Sequence, residues 1–78
     1  MKVYILYQTD AWNSRESESV LAVCSTRQKA IEFADRNAIE IGVKLSSNDL
    51  RLLEEIGQTQ GREENYMIEP IEVDEYYL

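Results

Sequence analysis

The chain has 78 residues, 44% of them hydrophobic and 29% charged, with three glycines and one proline; this is ordinary globular usage and leaves room for one domain over 1–78. Fifteen Asp and Glu against eight Lys and Arg give a net charge of −7 and a pI near 4.4, the wrong sign for riding on a phosphate backbone, so no direct nucleic-acid binding is expected. There is no histidine, which removes the commonest general base, nucleophile activator and metal ligand, and a non-enzyme is expected.

Lys2–Thr9 (KVYILYQT) is β-branched and aromatic without a breaker and reads as a strand. Val3, Ile5 and Tyr7 alternate with Tyr4 and Leu6, so both of its faces are apolar, the pattern of a central strand covered on two sides. Residues 10–18 (DAWNSRESE) are a polar loop, and Ser19–Cys24 (SVLAVC) is a second two-sided strand, with Val20, Ala22 and Cys24 opposing Leu21 and Val23. The apolar run from Val3 to Tyr7 is too short for a signal-peptide core or a membrane span, and the single cysteine, Cys24, has no disulfide partner. A cytoplasmic location away from membranes is expected, with Cys24 a buried structural thiol.

Ser25-Thr26-Arg27-Gln28 matches a capping box in which the Ser25 hydroxyl accepts from the Gln28 amide. A helix follows with the stripe Ala30, Ile31, Ala34, Ala38 and Ile41, Phe33 on its flank, and Gly42 as its stop. The N-cap cluster Ser46-Ser47-Asn48-Asp49 then opens a second, shorter helix bearing Leu50, Leu53 and Ile56 and ending at Gly57. Residues 58–65 (QTQGREEN) carry no apolar side chain and read as a solvated loop. Residues 66–73 (YMIEPIEV) form a last strand that Pro70 places at a sheet edge.

The order β-β-α-α-β predicts an α+β fold, a three-stranded, mostly antiparallel sheet of order 2-1-3 with both helices packed on one face. That leaves one face of a two-sided sheet uncovered, bearing either the Tyr4/Leu6 or the Val3/Ile5/Tyr7 set. A second copy is expected to cover it in a homo-oligomer, a dimer; the alternative is that the second helix wraps round to it.

The three scattered glycines make no phosphate loop, and residues 69–75 lack the alternation and turn glycine of a calcium loop, so neither a cofactor nor a metal is expected. What remains is surface. Trp12 with Arg15, an aromatic and an arginine in a polar loop, has the composition of a binding hot spot, the other reading being a tryptophan folded back over the sheet edge. The end of the chain is the second candidate: residues 63–78 hold six acids and no Lys or Arg, and Glu72, Asp74, Glu75, Tyr76 and Tyr77 combine acid with aromatic side chains.

The helix opening Ser25-x-x-x-Lys29-Ala30-x-x-x-Ala34 and the closing Tyr66, Ile68, Glu69 and Val73 resemble a group of short bacterial and phage proteins with a β-β-α-β core. The resemblance implies a fold and no activity or site, and the longer helical segment at 45–56 departs from it. Two functions fit these residues. The first is a non-enzymatic, acidic protein-binding module that docks on a basic protein surface, with inhibition of a host defence protein by a phage or mobile element as one such use. The alternative is a homo-oligomer that sequesters a small nucleotide-like ligand through Trp12, Arg15, Arg27 and Lys29.

Overall fold

The computed structural model describes residues 1–9, 19–60 and 64–73. Strand β1 (Lys2–Thr9) lies at the centre of a three-stranded sheet of order β2-β1-β3, flanked by β2 (Ser19–Cys24) and β3 (Asn65–Glu72), both antiparallel to it. The predicted α+β architecture and strand order are those observed. Pairing runs in register from Lys2 opposite Glu72 to Thr9 opposite Asn65, and directly opposed residues share a face. Leu6, Ala22 and Ile68 therefore form one row toward the helices, and Ile5, Val23 and Glu69 form a row on the other side.

Strand β2 departs from strict alternation. Its register with β1 shifts between Leu6 and Tyr7, where Ala22 and Val20 are the partners and Leu21 is the additional residue. This β-bulge puts Leu21 against the helix-side core with Ala22 and Cys24, and leaves Val20 on the opposite face with Val23. The expected grouping of Val20 with Ala22 and Cys24 is thus corrected, because an inserted residue reverses the alternation beyond it.

Helix α1 (Arg27–Glu40) begins one residue later than the predicted box. Thr26 is the N-cap, extended at φ −138° and ψ 156°, and its hydroxyl accepts from the Lys29 amide at 3.1 Å. Ser25, adjacent, instead accepts from the Lys29 ammonium at 3.4 Å. The helix ends with Gly42 at φ +83°: the Gly42 amide donates to Ile39 and the Val43 amide to Ala38, the paired bonds of a Schellman motif. Ala30, Ile31, Ala34 and Ala38 are buried as predicted, and the three alanines hold the helix close to the layer beneath it. Ile41 is 45% exposed, against expectation, because it is the C-cap and its backbone has left the helical path that set its phase.

Helix α2 (Ser47–Glu55) opens with a complete capping box between Ser46 and Asp49 and buries Leu53 beside Leu6, Tyr66 and Ile68. Both helices therefore lie on one face, which excludes the wrap-round alternative. Ile56, predicted to join the apolar stripe, is the C-cap and is 55% exposed for the same reason as Ile41. Leu45, in the connection between the helices, plugs the same core.

The segment after α2 is not uniformly solvated. Thr59 and Asn65 are fully buried, Gln58 bridges to Met67, the Ile68 amide donates to the Gly57 carbonyl at 2.7 Å, and the Thr59 amide donates to the Tyr66 carbonyl at 2.9 Å. Residues 57–59 thus line the outer edge of β3. Polar residues here are buried because they satisfy one another, a possibility that an apolar-residue count does not register. Pro70 sits on that same outward-donating set (66, 68, 70), where it has no amide to leave unpaired, in keeping with its predicted edge position.

Candidate functional site

The face of the sheet that no described helix covers is the most distinctive surface among the described residues. Val3, Ile5 and Tyr7 of β1 run down its middle, with Val20 and Val23 of β2 on one side and Met67, Glu69 and Ile71 of β3 on the other. Seven of these eight side chains are apolar or aromatic, and Glu69 is the one carboxylate. Val20 and Val23 are 61% and 62% exposed, and Val3, Ile5, Tyr7, Met67 and Ile71 are half-buried, while Thr9 and Asn65, which the pairing places at the end of the same face, are buried. Helices α1 and α2 pack entirely against the opposite face. Among the described residues these side chains form one contiguous apolar surface, not a scatter of single hydrophobic residues.

The two edges of the sheet are less available than its face. The outer edge of β3 is lined by residues 57–59 and interrupted by Pro70, and β2 carries its bulge. Both devices disfavour edge-to-edge pairing with another chain.

The sequence-proposed site residues fare differently. Trp12, Arg15, Asp74, Glu75, Tyr76 and Tyr77 lie outside the described residues. Glu72 is 71% exposed and accepts from the amino terminus of Met1 at 3.3 Å, an exposed pair of small energetic worth. Arg27 is turned inward: its guanidinium stands 5.3 Å from the centre of the Tyr4 ring and donates to the Leu53 carbonyl at 3.3 Å. It thereby joins β1, α1 and the last turn of α2, a structural assignment for a residue proposed as a ligand contact. Lys29 is exposed and donates to Ser25. Cys24 is a half-buried free thiol beside the helix-side core.

Among the described residues no group of three or more His, Cys, Asp or Glu side chains is placed to hold a metal, and no helix is long and apolar enough to cross a membrane. Hollows lined by described residues lie on the helical side. One, of about 440 Å³, is lined by Asp35, Ile39, Gly42, Val43 and Lys44, and a smaller one, of about 100 Å³, by Phe33, Arg36, Asn37 and Glu40. In the smaller, Arg36 stands 5.8 Å from the centre of the Phe33 ring, and Asn37 accepts from the Tyr66 hydroxyl at 2.7 Å. Neither lining set pairs a nucleophile with a base or gathers oxyanion donors, the arrangement acyl- or phosphoryl-transfer chemistry needs.

Sequence reasoning anticipated an uncovered face and not its composition. The alternation in β1 leaves both sets apolar, so only the placement of the helices distinguishes Val3/Ile5/Tyr7 from Tyr4/Leu6. Val20 joins the outer face through a bulge that has no glycine to announce it.

No protein-family model, curated protein or solved structure matches this chain. The resemblance of its helix opening and last strand therefore brings no residue role to the site, and function rests on the geometry.

Proposed function

We propose that this protein is a non-enzymatic binding module that works by docking the outer face of its sheet against a protein surface. One observation carries the reading: an apolar face built from all three strands lies opposite both helices, with Glu69 its single described charge. In a chain of net charge −7, leaving so large a surface nearly free of charge costs solubility unless a partner covers it. Burying apolar area is the main favourable term in protein association, and an open β-sheet face offers that area already ordered, with little conformational entropy left to lose. The acidic residues elsewhere on the surface would set the rate of encounter more than its strength.

Carbene footprinting of the chain tests the reading. Val3, Ile5, Val20, Val23, Met67 and Ile71 should label readily in the dissociated monomer and become protected on association, whereas Leu6, Leu53 and Ile68 should stay protected in both. Resistance of the outer set to labelling in a chain shown to be monomeric defeats the reading, because the chain would then cover that face itself.

A further inference from the structure

We propose that the occupant of the outer sheet face is a second copy of this chain, related by a twofold axis that runs parallel to the strands and sets β2 of each copy over β3 of the other. The inference rests on the reading of that face as a contact surface and names its partner. Three observations select a second copy. The first is charge: the only carboxylate or cation that the described pairing places in the rows of this face is Glu69, so a basic groove would find almost nothing to pair with here. An identical apolar face meets no such mismatch, and it keeps the remaining acids of both copies in water.

The second is area. Two strands of eight residues and one of six, about 4.8 Å apart with about 3.4 Å rise per residue, give a flat footprint of roughly 360 Å². Side-chain relief raises this to roughly 600 Å² of accessible surface a copy, or about 1,200 Å² for the pair, the lower bound of specific interfaces. The third is the thinness of the helix-side core, in which three of the nine buried hydrophobic residues among those described are alanines. A chain of this length gains from a second core, and two sheets packed face to face at about 10 Å make one.

The direction of the axis follows from Glu69. It lies in one row with Ile5 and Val23. An axis perpendicular to the strands that crosses this central row would set Glu69 against its own copy, two carboxylates in an apolar contact. An axis parallel to the strands sets Glu69 opposite the partner subunit's Val23, at the rim of the sheet where the carboxylate reaches water, and sets Met67 opposite the partner subunit's Val20. Ile5 lies near the axis and meets the centre of the facing sheet, where a substitution acts twice.

Sedimentation equilibrium of the native chain and of four variants, each checked for native far-ultraviolet circular dichroism, tests this. The native chain should be a dimer at about 100 µM. Ile5→Glu should raise the dissociation constant at least about a hundredfold, and Ile39→Glu, on the exposed side of α1, should leave it within about twofold. Val23→Glu should dissociate the dimer by facing Glu69, and Val23→Lys should retain it in a form that salt weakens. A native monomer at about 100 µM overturns the second copy; if its outer face still labels with carbene, the binding-module reading stands, and if it does not, both fall. A dimer that Ile5→Glu leaves intact, or that Val23→Glu and Val23→Lys affect alike, overturns the arrangement.

Discussion

The Thr59 hydroxyl donates to Asn65 Oδ1 at 3.0 Å and accepts from the Tyr66 amide at 3.0 Å, with both side chains fully buried. One hydroxyl thus satisfies a buried acceptor and a buried donor at the start of β3. Thr59→Val keeps the shape and removes the hydroxyl with its two buried hydrogen bonds, at about 0.5–1.5 kcal/mol each. Thr59→Ser keeps the hydroxyl and loses a methyl, about 1 kcal/mol. Urea denaturation should rank native, Ser and Val in that order of stability; equal stability of Thr59→Val and native would remove this pair from the framework of β3.

Gly57 and Gly42 both have positive φ, +77° and +83°, but only Gly57 is closely approached. A Cβ at Gly57 would stand 2.9 Å from the Ile68 carbonyl oxygen, while one at Gly42 would meet nothing within 4 Å. Gly42→Ala should therefore cost only the left-handed backbone term, about 1–2 kcal/mol. Gly57→Ala should cost measurably more and lower the melting temperature further, because it also pushes residues 57–59 off β3. Equal shifts in thermal denaturation would contradict the close packing.

Much of the fold is legible in the chain, and what is not has local physical causes. The strand order follows from two-sided apolar runs and from the two-helix crossover between β2 and β3, which spans one strand. The start of α2 is legible as the N-cap cluster Ser46–Asp49, within which the structure forms a Ser46–Asp49 box, whereas the Ser25–Gln28 box yields to Thr26, an equally good cap one residue nearer the helix. The burial of Thr59 and Asn65 depends on mutual hydrogen bonds between residues six apart, and polarity alone predicts the opposite. For the site, alternation in β1 reveals that one apolar set must be left over; that it is Val3, Ile5 and Tyr7 is decided by where the helices land.

Arg27 is a structural residue, and its replacement should be felt in stability. Arg27→Lys retains the charge and loses the planar group over Tyr4 and its reach to the Leu53 carbonyl, about 1 kcal/mol for a half-buried contact. In a protein of this size that is a fall of about 4–8 °C in melting temperature. Were Arg27 a ligand contact, Arg27→Lys would leave the melting temperature unchanged and abolish a thermal shift given by nucleotides to the native chain.

The α2 box makes a coupled unit: the Ser46 amide and hydroxyl both donate to Asp49 Oδ2, at 2.8 and 2.9 Å, and the Asp49 amide donates to the Ser46 hydroxyl at 3.1 Å. Ser46→Ala should cost about 1 kcal/mol. With Asp49→Ala the pair should be non-additive by about 0.5 kcal/mol or more in a double-mutant cycle, as for residues sharing hydrogen bonds. Additive losses would mean that the two ends of the box act independently.

Mass by light scattering after size exclusion, at low and at high salt, tests the role of the outer sheet face most directly. An apolar contact predicts twice the 9.1 kDa chain mass at both ionic strengths, since burial of Val3, Ile5, Val23 and Ile71 is insensitive to screening. A mass of 9.1 kDa under both conditions, at concentrations up to about 100 µM, would contradict it.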